Sequence, residues 1–219
     1  MGADATLDPR FKELLRAVQS LGPVEERLLF ESTQSAWAPL ADGAPLQALV
    51  PIYTRRELVG PPEPGVPLVH ARLDFGRGQL LGRPLGSWSR EEFARFLELY
   101  NVGGAVAWSP EARAFLVQQA DVLHPAGSLH GFDLYRGVRR SGSAQGGEAL
   151  VHADYDRLEV SGIAPAAPGG ELVLKYHWID GLRATPRVPI ERAAVPDDPV
   201  GFIRVRPQGA TRIVLWTRP

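Results

Sequence analysis

Tryptophans beside turns are the residues of this sequence whose type and placement most clearly suggest chemistry. Trp37 lies in the polar stretch 32–42, Trp88 directly precedes a predicted helix, and Trp178 leads into a turn that begins at Asp180. An exposed indole ring can stack on the apolar face of a sugar, while a neighbouring carboxylate accepts hydrogen bonds from its hydroxyls. The sequence therefore predicts that Trp37, Trp88, Trp178 and Asp180 contact a glycan.

The alternative is that each of these rings fills the core of its own domain, because large aromatic side chains dominate protein cores. We expect that role for Trp108 and Trp216, which belong to apolar strand patterns.

Carboxylates could support acid–base chemistry if the fold brought two of them together. The candidates are Glu31, Asp42, Asp74, Asp154, Asp156 and Asp180. Nothing local marks a pair, and the sequence has no G-x-S-x-G nucleophile motif. A carbohydrate hydrolase with two carboxylates in a cleft between the halves of the chain therefore stays open only as an alternative. No catalytic residue is assigned.

Two further patterns have simpler structural interpretations. His152, Asp154 and Asp156 could share one face of a strand and hold a cation, but a solvated sheet face is the favoured interpretation. Gly76, Gly78 and Gly82 resemble a phosphate-binding loop only in part, because the Arg83–Pro84 pair that follows favours an extended segment over a helix. We expect neither a metal ion nor a cofactor.

Composition excludes several classes of protein. The chain has 219 residues, a formal net charge of −1, 44% hydrophobic residues and no cysteine. A disulfide scaffold, a thiol nucleophile and a cysteine-ligated zinc site are therefore excluded. The near-neutral charge argues against a broadly basic nucleic-acid binder. No apolar run approaches the roughly 18 residues that span a bilayer.

The N-terminal part of the chain alternates helical and strand patterns. Ser89 and Glu92 form a capping box, and Ser109 with Pro110 begins a further helix. The predicted helices cover 8–19, 89–100 and 109–119, the predicted strands cover 27–31, 104–108 and 129–136, and 46–53 is apolar and fits either. This order predicts a small α/β layer domain over 1–138.

The C-terminal part contains only short strand patterns separated by proline and glycine. This spacing predicts an antiparallel β-sandwich of the jelly-roll kind over 147–219, with 139–146 as a linker or exposed loop. The predicted fold class is α+β, an α/β layer domain followed by a β-sandwich.

Three stretches of the chain resemble a known family. The stretches are RLLFE (27–31) followed by LVPIYTRRE (49–57), then GRPLG (82–86) followed by a helix and LYNVGGAVAWSP (99–110), and lastly GGELVLKYHW (169–178) followed by GLRA (181–184). Their order is similar to the extracytoplasmic C-terminal region of bacterial multi-spanning membrane proteins of the GT-C glycosyltransferase type. The similarity extends over about residues 25 to 217. It departs at the last hairpin, where the family's Gly-Trp turn is replaced by YHWIDGL (176–182).

The resemblance implies an accessory domain of a larger membrane protein, because the family's catalytic acid lies in a loop between membrane helices and no such segment occurs here. We therefore expect a non-catalytic module on the extracytoplasmic, periplasmic face of the cell membrane. Its partners would be the membrane-embedded portion of the same polypeptide and a polysaccharide or lipid-linked sugar, with no nucleic acid. A free-standing carbohydrate hydrolase and a purely structural protein-docking domain are the alternatives.

Overall fold

A computed structural model describes residues 7–33, 46–59, 75–138, 142–154, 157–167, 169–196 and 198–217. The chain divides into two compact units, Met1–Ser141 and Gly142–Pro219. The first is an α/β layer and the second is an antiparallel sandwich, so the predicted fold class is confirmed. Among the described residues, no helix is long and apolar enough to cross a membrane.

The N-terminal unit contains four described α-helices and eight described strands. The helices are α1 (Pro9–Gln19), α2 (Leu46–Thr54), α3 (Arg90–Leu99) and α4 (Pro110–Gln118). The strands are β1 (Arg27–Phe30), β2 (Leu58–Val59), β3 (Phe75–Gly76), β4 (Gln79–Leu80), β5 (Arg83–Pro84), β6 (Val102–Ala107), β7 (Leu123–Leu129) and β8 (Phe132–Gly137). A short 3₁₀ helix covers Leu85–Ser87.

The main sheet of this unit has the strand order β2-β1-β6-β8-β7. Strands β1, β2 and β6 run parallel, whereas β8 is antiparallel to both of its neighbours. All six residues of β6 are buried, as expected for a strand covered on both faces. The core joins α1 and α2 to this sheet through residues such as Phe11, Leu28, Val50 and Val106.

Side chains cap the N-termini of α1, α3 and α4, and the sequence predicts the caps at Ser89 and Ser109. Asp8 accepts a hydrogen bond from the Arg10 backbone N–H at 2.8 Å at the start of α1. The predicted capping box is present at α3, since the Ser89 N–H donates to Glu92 and the Glu92 N–H donates to Ser89 Oγ. Hydrogen bonds to the carboxylates lower the pKa values of Asp8 and Glu92, the first mainly through the Arg10 side chain and the second through the Ser89 backbone.

Three predicted segments take a more specific form in the structure. The ambiguous stretch 46–53 is helical and forms most of α2. The predicted strand over 129–136 is a hairpin turn followed by β8, because His130 and Gly131 both have positive φ. Strand β7 was not expected, since it contains Pro125; it is an edge strand, where proline costs least.

Strands β3, β4 and β5 form a small meander. Gly78 and Gly82 occupy its two turns with φ of 71° and 72°. The glycine pattern therefore makes turns between strands, and the interpretation favoured from the sequence is confirmed.

The C-terminal unit is a sandwich of two four-stranded antiparallel sheets. Its strands are β9 (Ala144–Gln145), β10 (Gly147–Ala153), β11 (Arg157–Pro165), β12 (Leu172–His177), β13 (Arg183–Thr185), β14 (Ile190–Val195), β15 (Asp198–Val205) and β16 (Arg212–Trp216). One sheet, the β16 sheet, has the order β10-β11-β16-β13, and the other, the β15 sheet, has the order β14-β15-β12-β9. The core between them includes Val160 and Ile213 from one sheet and Leu174 and Ile203 from the other.

Part of the stretch predicted as a linker is a strand. Residues Ala144–Gln145 form β9, which pairs with Leu174 and Val173 at the edge of the β15 sheet. Ser143 is buried beside it, and its carbonyl accepts a hydrogen bond from the Lys175 N–H at 2.9 Å. Residues 143–145 of this stretch thus hydrogen-bond to the sandwich, although Gln145 stays exposed.

Candidate functional site

Trp178 and Asp180 lie together in the turn that connects β12 to β13. The indole N–H of Trp178 donates a hydrogen bond to Asp180 Oδ1 at 2.9 Å. Gly181 has a φ of 81°, which favours glycine, and the Leu182 N–H closes the turn on the Ile179 carbonyl at 3.3 Å. The structure therefore brings two of the four predicted site residues into direct contact.

One side of Trp178 packs on the sandwich core, and the turn around it is open. Trp178 and Leu182 both contact the core cluster of the C-terminal unit. Ile179 and Asp180 are exposed, Ile179 by 51%. Trp178 is thus partly a core residue, as the alternative interpretation expects, and it also borders an exposed polar and apolar turn.

A buried polar network fixes the backbone under Trp178. The Trp178 N–H donates to the Gly201 carbonyl at 2.9 Å. Asp198 Oδ1 accepts hydrogen bonds from the N–H groups of Val200 and Gly201, both at 2.8 Å, and its other oxygen lies 2.8 Å from His177 Nε2. Gly201 has a φ of 74°, and a Cβ there would lie 2.5 Å from the Ala193 carbonyl oxygen. These contacts hold the start of the turn in one position.

Trp88 is partly buried and packs against neighbours in its own unit. Its ring centre lies 5.7 Å from that of Phe96, and the Arg83 guanidinium carbon lies 4.5 Å from the same ring. Arg83 is in turn paired with Glu92 at 3.2 Å. The indole N–H is buried and has no hydrogen-bond partner among the residues that the structure describes. Phe96 and Arg83 thus lie against this ring, whereas Trp178 borders an exposed turn with a carboxylate, so Trp178 is the better placed of the two predicted platforms. Trp37 lies outside the described residues.

Of the two tryptophans expected in the cores, one packs against a core and the other lies on an outer sheet face. Trp108 packs against the core of the N-terminal unit, and its indole N–H donates to the Ser32 carbonyl at 3.2 Å. The expectation for Trp216 was wrong: Ile213 and Leu215 are fully buried, and side chains alternate along a strand, so Trp216 stands on the outer face of the β16 sheet. The strict alternation of residues 212–216 is the signal that could have shown this.

Each candidate carboxylate that the structure describes has a partner within its own unit. Glu31 is 1% exposed, and its Oε2 accepts hydrogen bonds from the N–H groups of Trp108 at 2.7 Å and Ser109 at 2.9 Å. Asp154 pairs with Arg157 at 3.5 Å, and Asp180 binds the Trp178 indole. Asp42, Asp74 and Asp156 lie outside the described residues.

Glu31 occupies the place where open α/β sheets commonly bind ligands. Strand β1 connects to β2 on one side, while β6 lies on its other side, so the topology switches between β1 and β6. Ligands of such sheets bind beyond the carboxyl ends of the strands at this point, often at a helix N-terminus. Here the carboxylate of Glu31 itself binds the N–H groups that precede α4 and ties that helix to β1.

The N-terminal unit also contains a cleft of about 600 Å³ beside α3. Its rim carries charges of both signs, and Arg90 and Asp121 form an ion pair across it. The charged lining residues are Arg90, Glu91, Arg95, Glu98 and Asp121. Trp88, Trp178 and Asp180, the predicted ligand-binding residues that the structure describes, do not line this cleft.

His152 is exposed on the outer face of β10, which fits the solvated sheet face expected from the sequence. Within the part of the chain that the structure describes, no three His, Asp or Glu side chains form a group that could hold a metal ion.

Comparison of the chain with family models, with curated proteins and with solved structures gave no match.

Proposed function

We propose that this chain is a non-catalytic glycan-binding module on the extracytoplasmic side of a membrane, and that it belongs to a larger glycosyltransferase-like membrane protein. The contact between Trp178 and Asp180 is the observation on which the proposal chiefly rests. A ring held at a turn, with a carboxylate beside it, has the two features that bind a sugar: an apolar surface and a charged acceptor.

The geometry leaves acceptor capacity at this turn. Asp180 uses one oxygen to accept the Trp178 indole N–H, and its second oxygen has no hydrogen-bond partner among the described residues. A carboxylate accepts hydrogen bonds at both oxygens, so a sugar hydroxyl can donate to the second one while its ring lies against Trp178. The backbone network of Asp198 and Gly201 lowers the cost of binding because the turn is already ordered.

The membrane part of the proposal rests on the resemblance of three stretches of the sequence to proteins of the GT-C glycosyltransferase type. The first includes β1 and much of α2, the second includes α3 and β6, and the third includes β12, the Trp178 turn and the start of β13. All three resembling stretches thus contribute to the main sheet or to the sandwich. The partner that we propose is the membrane-embedded portion of the same polypeptide, and the ligand is a polysaccharide or a lipid-linked sugar.

The described carboxylates favour a binding role over a hydrolytic one. Glu31 is buried under backbone N–H groups, and Asp154 is paired with an arginine. A glycosidase needs one carboxyl group as a proton donor and a second one on the other side of the scissile bond. Glu31 and Asp154 instead serve to join elements of their own units.

Trp178→Ala should weaken binding to neutral polysaccharides about tenfold, which corresponds to ~1.4 kcal/mol. The loss follows from the removal of both the stacking surface and the N–H that orients Asp180. Electrophoresis of the protein through gels that contain dextran, mannan or β-glucan measures this as a loss of retardation. Ile52→Ala, at an exposed apolar residue of α2, is the control and should migrate as the wild type does.

Because Trp178 also touches the core, Trp178→Phe separates binding from folding. The phenyl ring keeps most of the packing but lacks the indole N–H. Compared with Trp178→Ala, this variant should therefore recover the stability of the wild type and only part of the retardation in the gel. Unchanged retardation in Trp178→Ala would contradict this assignment of the site.

A further inference from the structure

Trp216 stands on the outer face of the β16 sheet between two arginines. It pairs across the strands with Arg157 of β11 on one side and with Arg183 of β13 on the other. Ile213 and Leu215 of the same strand point into the sandwich core. The indole is therefore part of a polar sheet face and only partly exposed.

Neighbouring side chains hold the Trp216 ring in place. Its N–H donates to Thr185 Oγ1 at 3.3 Å, and the Arg183 guanidinium carbon lies 5.8 Å from the ring centre. That distance is within the range of a cation–π contact. Both contacts come from β13, the edge strand that follows directly on the Trp178 turn.

The other arginines of this face are neutralised by carboxylates. Arg157 pairs with Asp154 at 3.5 Å and with Glu159 at 3.4 Å. Arg212 pairs with Glu159 at 2.9 Å. Arg183 is exposed, and within the described ranges it has no carboxylate at ion-pair distance. Among the described residues, the face therefore offers one uncompensated positive charge next to one aromatic ring.

We propose that this face, formed by Trp216 and Arg183, binds a polysaccharide that contains uronic acid. The inference rests on the proposed glycan-binding function and extends the Trp178 site along β13. The apolar side of a hexuronate ring lies on Trp216, and its carboxylate accepts paired hydrogen bonds from the Arg183 guanidinium.

The charge of the face argues for a carboxylate. A guanidinium matches the planar carboxylate in a bidentate pair. One uncompensated cation balances the single charge of a uronate, whereas a phosphate monoester carries nearly two. Asp154 and Glu159 are balanced by Arg157 and Arg212, so Arg183 supplies the net charge of the described part of this face.

The test compares each uronate polymer with its own neutral ester. Polygalacturonate and its methyl ester share one backbone, as do alginate and its propylene glycol ester, and the two polymers differ in ring stereochemistry. We expect the wild type to bind at least one of the acids about tenfold more tightly than its ester. The preference should fall as ionic strength rises, because this face is solvent-exposed.

Variants assign that preference to residues. Arg183→Gln should remove the preference for the acid and leave binding of the ester unchanged, while Trp216→Ala should weaken binding of both. Arg212→Gln is the matched control on the same face and should keep the preference, because Arg212 is already paired with Glu159. Arg183 is exposed, so an unchanged melting temperature in Arg183→Gln would show that folding is not the cause.

The outcomes separate this inference from the proposed function. Equal binding of acids and esters by the wild type, or a preference that survives Arg183→Gln, would overturn the assignment to Trp216 and Arg183. If the binding of neutral polysaccharides still depends on Trp178 in that case, the proposed function stands. A wild type that binds neither neutral nor acidic polymers would overturn both.

Discussion

Gly103→Ala is expected to destabilise the N-terminal unit by about 3 kcal/mol, at the upper end of overpacking effects. Strand β6 has one extra residue opposite β1 at this point, since Arg27 pairs with Val102 and Leu28 pairs with Gly104. A Cβ on Gly103 would lie 1.9 Å from Glu26 Oε2 and 2.6 Å from Glu26 Cβ. Because the Glu26 Cβ itself is in the way, a rotation of the carboxylate alone cannot relieve the clash.

Urea unfolding of the wild type and the variant measures this effect. Gly86→Ala is the matched control, because a Cβ at Gly86 meets nothing within 4 Å, and it should change the unfolding free energy by less than ~0.5 kcal/mol. A Gly103→Ala protein as stable as the wild type would show that Glu26 does not occupy this position in solution.

Arg56→Met should lower the free energy of unfolding by more than Gly103→Ala does, by about 4 kcal/mol, because Arg56 joins three segments of the N-terminal unit. Its side chain is fully buried, at 1% exposure, and donates to the carbonyls of Val18 at 3.1 Å, Gly22 at 3.4 Å and Glu26 at 3.1 Å. The variant leaves these acceptors without a donor, and each buried unpaired group costs ~1–3 kcal/mol. Burial lowers the pKa of Arg56 to about 10, against the opposing charges of Glu26 and Glu25, so the guanidinium is still charged at neutral pH.

Arg55→Met is the matched control for this prediction. Arg55 is the preceding residue and is exposed, so the same change there should alter the unfolding free energy by less than ~0.5 kcal/mol. Equal effects of the two substitutions in urea unfolding would mean that the hydrogen bonds of Arg56 contribute nothing to stability. Arg56→Lys should recover only part of the loss, since an ammonium group cannot reach all three carbonyls in the geometry of the guanidinium.

The parts of the fold that depend on local interactions could be predicted from the sequence. Ser89 and Glu92 are three residues apart, so their capping box is visible as a pattern, and α3 begins where it predicts. The alternation of polar and apolar residues near the C-terminus predicted a sandwich for the same reason. The same alternation places Trp216 on the outer face of its strand. The size of the ring and the apolar character of the strand instead favour the core, and that expectation is wrong.

The parts that depend on distant contacts could not be predicted. Glu31 binds the N–H groups of Trp108 and Ser109, which lie 77 and 78 residues further along the chain, and no short motif records such a pairing. The contact between Trp178 and Asp180 could be anticipated because both residues belong to one turn.

The proposed function requires the chain to be a module of a larger membrane protein. An antibody raised against the 219-residue chain, used on soluble and membrane fractions of the source cell, tests it most directly. We predict a band far above 23.9 kDa that is found only with the membranes. A soluble band near 23.9 kDa would contradict the account and make a free-standing carbohydrate-active protein the hypothesis to test.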